Sequence, residues 1–258
     1  MRIQFSKYHG SGNDFILLNN MLGDYDLLSI SQIQFLCNRH IGVGADGLIK
    51  ISKKKGFDFE VEYFNSDGSQ SFCGNGARCS VAYAKTIGII NNKAFFYAID
   101  GPHKAFFKSD SVCIEMSAVE KYETNGDDFI INTGSPHYIH ILDDIRNCDV
   151  VKYGRSVRFQ ECFNPLGINV NVMSIISKNE INIATYERGV ENETLSCGTG
   201  AVACALTFMI VKNKSETEIK INTKGGLIEV SAKKNNDSFH DIWLTGPVKF
   251  VFEALIDV

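Results

Sequence analysis

The sequence of 258 residues has no excess of basic side chains and no long apolar segment. Its 26 lysines and arginines are balanced by 30 aspartates and glutamates, which argues against nucleic acid or a membrane surface as a partner. The longest apolar stretch, Val202 to Val211, covers ten residues and includes a threonine, whereas a bilayer needs about 20. The first residues, MRIQFSKYHGSGNDF, hold no secretory apolar core, so we expect a cytoplasmic protein with reduced thiols.

The chain also has no linker, low-complexity tract or long charge run. Hydrophobic residues make up 44% and charged residues 22%, which is typical of a globular protein of one large or two modest domains. Eight cysteines are too few for a disulfide scaffold in a chain of this length. Four of them have no partner at a metal-binding spacing, so we expect no metal site: Cys37, Cys113, Cys148 and Cys162.

What the sequence does contain is an internal repeat. CGNGARCSVAYA begins at Cys73 and CGTGAVACALTF begins at Cys197, 124 residues later. Two further turn motifs recur at the same offset: Gly10-Ser11 as Gly134-Ser135, and Gly101 as Gly225. A solenoid would need at least three shorter copies, so the pattern indicates one duplicated domain.

Each half has short β-rich runs followed by a glycine-rich turn that opens a helix, over 77–84 and over 201–211. The second helix is apolar nearly all round, which predicts that a sheet surrounds it. We therefore expect a mixed α/β (α+β) fold of two pseudo-symmetric domains, each a mostly antiparallel sheet wrapped around a central helix. Because the tail TGPVKFVFEA reads as a strand that returns to the first half, the predicted domains are 1–118 plus 247–258, and 119–246.

Both repeats place a cysteine where β-rich sequence meets a helix N-terminus. Unpaired N–H groups and the helix dipole stabilise an anion there, so the thiol pKa can be lowered. A single Cys-Gly at a helix start is more often incidental, but two at symmetry-related positions favour chemistry. Pseudo-symmetry predicts that Cys73 and Cys197 face one cleft, and two opposed thiols suit inversion of a carbon stereocentre. Cys79 and Cys204 are expected to be small buried apolar residues.

At these residues the sequence resembles the diaminopimelate epimerase family over essentially its whole length. The motifs are GSGNDF (10–15), GVGADG (42–47), FNSDGS (64–69), CGNGARC (73–79), GSPH (134–137), YERGVENET (186–194) and CGTG (197–200). The resemblance implies an isomerase that converts LL-2,6-diaminopimelate to the meso isomer in lysine and cell-wall precursor biosynthesis. It also implies a homodimer that uses no pyridoxal phosphate or other cofactor.

The resemblance also assigns roles to residues. Cys73 and Cys197 form the acid/base pair, and His137 and Glu187 tune the ionisation of the thiols. Backbone N–H groups that bind the reacting carboxylate come from Gly74, Asn75, Gly198 and Thr199. The side chains that hold the rest of the substrate are Asn13, Asn65, Asn169, Glu187 and Arg188. Taken alone, Asn65 could simply shape a turn, and His137 could be an ordinary core histidine.

Three positions depart from the family pattern. Gly47 stands where many members have glutamine, Ser135 where asparagine is common, and Phe252 where a tyrosine is associated with dimer contacts. None of them touches the two-thiol chemistry.

The sequence leaves three other interpretations of the function open. A proline racemase or hydroxyproline epimerase shares the two cysteines but has a CGHG-type first motif, whereas this chain has Asn75. A redox switch or binding protein that pairs Cys73 with Cys197 would explain the thiols but not the Asn, Glu and Arg constellation. A pyridoxal-phosphate racemase needs a Schiff-base lysine, and neither CGxG turn contains one.

Overall fold

A computed structural model describes all 258 residues of the chain. The chain divides into two compact units. The first comprises Met1–Ile114 together with Gly246–Val258, and the second comprises Glu115–Thr245.

Most strands and helices of the first unit lie in the N-terminal part of the chain. The strands are β1 (Arg2–Gly10), β2 (Asn13–Asn20), β3 (Gly47–Ser52), β4 (Phe59–Asn65), β5 (Lys93–Ala98), β6 (Gly101–Lys108) and β7 (Ser111–Met116), and the helices are α1 (Ile30–Cys37) and α2 (Gly74–Thr86).

The second unit repeats this plan. Its strands are β8 (Tyr122–Asn125), β9 (Asp128–Asn132), β10 (Pro136–Ile141), β11 (Asn169–Ser177), β12 (Glu180–Glu187), β13 (Asn192–Thr194), β14 (Glu216–Thr223), β15 (Gly226–Asn235) and β16 (Ser238–Asp257). Its helices are α3 (Val150–Arg158) and α4 (Gly198–Val211), with 3-10 turns at Ile145–Asn147 and Glu161–Phe163. From Gly246 onward, β16 belongs to the first unit, where it pairs antiparallel with β1.

The two units share one order of strand pairings. From β1 to β7, successive neighbours pair antiparallel, parallel, antiparallel, parallel, antiparallel and antiparallel. The series β9, β10, β11, β12, β14, β15 and β16 follows the same orientations. The predicted fold class, mostly antiparallel sheets around central helices, is confirmed. The shared topology is what a duplication would produce.

Helices α2 and α4 are the central helices, and they begin 124 residues apart, like the sequence repeat. Helix α4 is buried almost throughout, and it packs against the strands from β9 to β12 and against β14 and β15. Burial on all sides explains why its sequence is apolar all round. No helix in the chain is both long and apolar enough to cross a membrane.

The two other helices, α1 and α3, were not predicted from the sequence. Each connects a parallel strand pair, β2 to β3 and β10 to β11, and parallel pairing requires such a crossover. Both helices are short, and the residues that indicate them in the sequence lie at their N-caps. Ser29 and Gln32 form a reciprocal capping box at the start of α1, and Asp149 accepts a bond from the Lys152 N–H at the start of α3.

Helix α3 lies against β11 and β12 over a buried apolar cluster that includes Tyr138, Val157 and Tyr186. Gly154 sits at the closest approach of the helix to the sheet. A Cβ atom there would lie 2.3 Å from Cβ of Tyr186, and both atoms are anchored to backbone. The helix can therefore pack at this distance only with glycine at position 154.

We predict that Gly154→Ala destabilises the second unit by about 1–3 kcal/mol, since the added methyl group must push α3 away from β12. The expected result is a lower urea midpoint of unfolding. Ser156→Ala is the matched control, because Ser156 is exposed on the same helix and its substitution should shift the midpoint little. Equal midpoints for the two variants would contradict this packing.

Candidate active site

Cys73 and Cys197 occupy the same backbone position in their units, the N-cap of the central helix. Cys73 has φ −130° and ψ 112°, and Cys197 has φ −116° and ψ 114°, so both are extended. The first intrahelical bonds are donated to their carbonyl oxygens, by Ala77 and Ala201. Earlier N–H groups in each helix therefore lack an intrahelical acceptor, which makes each N-terminus a place where negative charge is stabilised.

In the first unit, the sulfur of Cys73 lies between a hydrogen-bond donor and an acceptor. The Gly76 N–H donates to its Sγ at 3.4 Å, a bond that favours the thiolate. The thiol donates to Oδ1 of Asn13 at 3.7 Å, a bond that requires the proton. Nδ2 of Asn75 donates to the same Oδ1 at 3.2 Å. Three residues named from the sequence, Asn13, Cys73 and Asn75, are thus brought together.

Asn13 is held by a charged network that the sequence analysis missed. Its Nδ2 donates to Asp46 at 2.5 Å, which leaves Oδ1 facing the thiol. Arg39 bridges Asp46 and Asp14 at 2.7 and 2.6 Å, and Lys7 binds Asp14 at 2.7 Å. Burial alone would raise the pKa of Asp14, but the bonds from Arg39 and Lys7 outweigh it and hold that pKa well below its usual range.

Arg78 in the CGNGARC motif also went unassigned, and the structure buries it completely. Its Nη2 donates to Oδ1 of Asn75 at 2.7 Å, which orients the Asn75 amide toward Asn13. Its Nε and Nη1 have no hydrogen-bond partner. Burial lowers the pKa of Arg78, and its guanidinium interacts electrostatically with the sulfurs of Cys79 and Cys73. Its positive charge therefore favours a thiolate at Cys73.

Asn65 takes part in a turn at the end of β4. Its Nδ2 donates to Oγ of Ser69 and of Ser71, at 3.0 and 3.2 Å, and its Oδ1 accepts from the Tyr63 hydroxyl at 2.9 Å. The turn-shaping interpretation of Asn65 is therefore correct. Its contact with a substrate stays a prediction.

In the second unit, Cys197 is 8% exposed and lies at one end of a chain of polar contacts with two other residues named from the sequence. Its Sγ lies 3.5 Å from Oγ1 of Thr199, and that oxygen lies 2.9 Å from Nε2 of His137. The Ser135 hydroxyl lies 3.1 Å from the same ring nitrogen. Cys197, Thr199 and His137 therefore form one hydrogen-bonded chain.

His137 is wholly buried. Burial, together with the positive charge of Arg188, lowers its pKa to about 3. His137 is consequently neutral at neutral pH. It acts on Thr199 as a hydrogen-bonding group and supplies no positive charge.

Asn169 is the first residue of β11 and Arg188 directly follows β12, and the two residues hydrogen-bond each other and neighbouring groups. Nδ2 of Asn169 donates to Oγ of Ser135 and to the Pro136 carbonyl, and its Oδ1 accepts the Arg188 N–H. Nη1 of Arg188 donates to the carbonyls of Leu166 and Gly167, so only part of the guanidinium is used. Glu187 is the last residue of β12.

The other cysteines have a different character. Cys79 and Cys204 are fully buried, and burial raises their thiol pKa far above the usual range, as expected for apolar core residues. Burial also raises the pKa of Cys37, to about 12. No cluster of three or more potential metal ligands occurs in the chain.

Comparison with known proteins identifies the family. The sequence model described as Diaminopimelate epimerase matches residues 5–111 and 129–251. A diaminopimelate epimerase from Flavobacterium psychrophilum is 44% identical over 252 residues, which cover 97% of this chain and 98% of that protein. The chain belongs to the diaminopimelate epimerase family. A second member, from Aquifex aeolicus, is 38% identical over 98% of this chain and 97% of its own length.

Solved structures share the family's fold at low sequence identity. A phenazine biosynthesis protein of the PhzF family from Bacillus anthracis superposes with a TM-score of 0.76 at 12% identity and full coverage of both chains. A hydroxyproline epimerase from Agrobacterium vitis has a TM-score of 0.72 at 13% identity and covers 99% of this chain and 92% of its own. These likenesses establish the fold alone.

The structure explains two of the departures from the family pattern. Any Cβ at Gly47 would lie 2.4 Å from Cε2 of Tyr63, so the aromatic ring takes the space that a glutamine would need. Ser135 retains a polar role, since its hydroxyl bonds His137 and accepts from Asn169. Phe252 is 42% exposed and packs edge-on against Phe5 at 5.8 Å.

We predict that His137 makes stability depend on pH. Its pKa is about 3 when folded and about 6.5 when unfolded. Below about pH 6.5 the unfolded chain therefore binds a proton that the folded chain does not bind. The contribution of His137 to the free energy of unfolding is complete above about pH 6.5, and it decreases by up to about 1.4 kcal/mol for each unit by which the pH drops below that value. In chemical unfolding measured from pH 7 to 4.5, His137→Gln should reduce the dependence of the free energy of unfolding on pH by up to this amount per unit. His40→Gln, at an exposed site, should retain it, and identical slopes in all three proteins would refute the buried neutral state.

Proposed function

We propose that this chain epimerises LL-2,6-diaminopimelate to the meso isomer by a two-base proton transfer, with Cys73 and Cys197 acting on opposite faces of the α-carbon. One observation carries the proposal: each cysteine caps the central helix of its unit with the same backbone geometry. The chain's membership of the diaminopimelate epimerase family supports this substrate and this isomerase activity, which serves lysine and cell-wall precursor biosynthesis.

In the proposed reaction one thiolate removes the α-proton while the other thiol delivers a proton to the opposite face. The α-proton of an amino acid is a very weak acid, so the site must stabilise charge that develops on the carboxylate. The first-turn N–H groups of Gly74, Asn75, Gly198 and Thr199 are the proposed donors, because helix N-termini present fixed dipoles that need no reorganisation.

The remaining substrate contacts are proposed from side chains near the two caps. Asn13, Asn65 and Asn169 would hydrogen-bond the substrate. Since both amide hydrogens of Asn169 are already donated within the protein, it would accept through Oδ1. Glu187 and Arg188 would hold amino and carboxylate groups, and His137 and Glu187 would tune the thiols.

The proposed mechanism assigns no step to a cofactor or a metal. Two thiols supply the base and the acid, and backbone donors supply the charge stabilisation. Thiol acid/base chemistry requires reduced cysteines, which supports a cytoplasmic enzyme. We also propose a homodimer with no nucleic-acid or membrane partner.

The direct test is to incubate reduced protein with LL-diaminopimelate, without pyridoxal phosphate, and to follow the meso isomer by chiral chromatography. Formation of the meso isomer would support the proposal, and its absence would refute the substrate assignment. Racemisation of proline or hydroxyproline instead would favour the related enzyme class. A redox protein would convert none of these substrates.

We predict that Cys73→Ala and Cys197→Ala each abolish epimerisation in both directions, because each thiol is the acid in one direction and the base in the other. In deuterated water, early product from the LL isomer should carry solvent deuterium at the inverted carbon, and recovered substrate should stay nearly unlabelled. Mass spectrometry of both pools measures this. Near-normal turnover in either variant, or substrate labelling as fast as product formation, would exclude two bases.

We predict that Arg188→Lys lowers kcat/KM by at least about tenfold, because an ammonium cannot bind a carboxylate in the planar, bidentate manner of a guanidinium. Lysine would also lose the paired contacts to the Leu166 and Gly167 carbonyls. Steady-state kinetics provide the measurement. Arg155→Lys, on the exposed side of α3, should keep wild-type kinetics, and wild-type kinetics for both variants would remove Arg188 from the site.

A further inference from the structure

Behind His137 lies a second buried polar residue that no sequence motif singled out. Asn171 is on β11, is 0% exposed, and is two residues from Asn169. Its Nδ2 lies 3.0 Å from Nδ1 of His137. We infer that Asn171 is a positioning residue: it fixes the proton of His137 on Nε2 and thereby aims the Thr199 hydroxyl at the Cys197 sulfur.

The orientation of the Asn171 amide follows from its neighbours. Nδ2 lies 3.1 Å from the backbone carbonyl of Tyr138, which can only accept a hydrogen bond. On the other side, the Thr185 hydroxyl donates to Oδ1 at 2.8 Å. A flipped amide would place two carbonyl oxygens in contact, so the NH₂ group must face Tyr138 and His137.

This orientation determines the tautomer of His137. One hydrogen of the Asn171 NH₂ group is donated to Tyr138 and the other points at Nδ1, so Nδ1 must be an acceptor without a proton. Because burial keeps the ring neutral, the single ring proton resides on Nε2. Nε2 lies 2.9 Å from Thr199 and 3.1 Å from Ser135, both of which can accept it.

The tautomer in turn directs the Thr199 hydroxyl. Oγ1 of Thr199 accepts from His137, so its own hydrogen is available to a second neighbour. Two are within reach at 3.5 Å, Sγ of Cys197 and Oγ of Ser135. Ser135 accepts from Asn169, and because Nε2 of His137 carries a proton and cannot accept, the Ser135 hydroxyl donates its own hydrogen to Oγ1 of Thr199. The hydrogen of Thr199 is therefore donated to Cys197, where it stabilises the thiolate.

Packing at the helix start keeps Asn171 in place. A Cβ at Gly200, the second glycine of CGTG, would lie 2.5 Å from Oδ1 of Asn171 and 3.3 Å from Cε1 of His137. The glycine thus allows the first turn of α4 to approach this pair closely.

The test uses Asn171→Asp, which keeps the shape and replaces the NH₂ donor with an acceptor. The introduced carboxylate should draw the ring proton to Nδ1, so that Nε2 becomes an acceptor for Thr199 and Cys197 loses its donor. We expect the ¹⁵N spectrum of histidine-labelled protein, assigned with His137→Gln, to show protonated Nε2 in the wild type and protonated Nδ1 in the variant. Alkylation of Cys197 by iodoacetamide should slow by about tenfold, with Cys73 as the internal reference.

Thr185→Val is the matched control. It removes a buried hydrogen bond from the same asparagine but leaves the donor to Nδ1, so the tautomer and the Cys197 alkylation rate should match wild type. If Asn171 only ties strands together, both variants should alter Cys197 alike, which would overturn the inference. A wild-type spectrum with the proton on Nδ1 would overturn it without any variant.

The inference rests on the proposed function only in giving Cys197 a reaction to perform. In the epimerase assay, Asn171→Asp should lower kcat with little change in KM, and a fall in kcat/KM through KM alone would contradict a role through the thiol. The spectra and alkylation rates need no substrate. If no diaminopimelate is epimerised while they behave as expected, the proposed function fails and the positioning role stands.

Discussion

The start of a buried α-helix leaves N–H groups without acceptors, and this constraint shapes each unit of the protein. Strands enclose α2 and α4, so water cannot easily satisfy those groups. Cysteine at the N-cap places an ionisable atom at the one point where the backbone favours negative charge. The same burial explains the apolar character of α4, while Gly200 in its first turn is required by the close approach of Asn171.

The two caps share a backbone but differ in their electrostatic surroundings. Around Cys73 the organising groups are charged: a buried guanidinium at Arg78 and the Asp46 carboxylate that holds Asn13. Around Cys197 they are neutral, with a histidine that burial keeps unprotonated and the hydroxyl of Thr199. The two units thus share the anion-stabilising geometry, whereas the groups that govern each thiol differ. A reaction that treats two faces of one carbon differently has a use for this asymmetry.

Local patterns in the sequence predicted much of the fold and the two cysteines at the helix N-caps. The repeat located α2 and α4, and β-rich runs located most strands, since both signals lie within a few residues. The crossover helices α1 and α3 escaped because short helices depend on packing more than on propensity. Arg78 escaped because its complete burial depends on the strands around α2, which its neighbours in sequence do not indicate. Asn171 escaped for another reason, since its partners lie on other strands. The alternation Asn-Val-Asn-Val from 169 to 172 was the available signal, because it puts two amides on one face of a buried strand.

The close packing of Gly47 against Tyr63 constrains which residues the chain can carry at these two positions. A side chain at 47 and the ring at 63 compete for one volume, and the Tyr63 hydroxyl holds Asn65. A side chain at 47 would need a smaller residue at 63 and also a shift of the β4 backbone, since its Cβ would lie 2.6 Å from the Phe64 carbonyl oxygen. Any side chain larger than glycine at 47 would therefore be disruptive while tyrosine occupies 63, so the effects of substitutions at the two positions should not be additive.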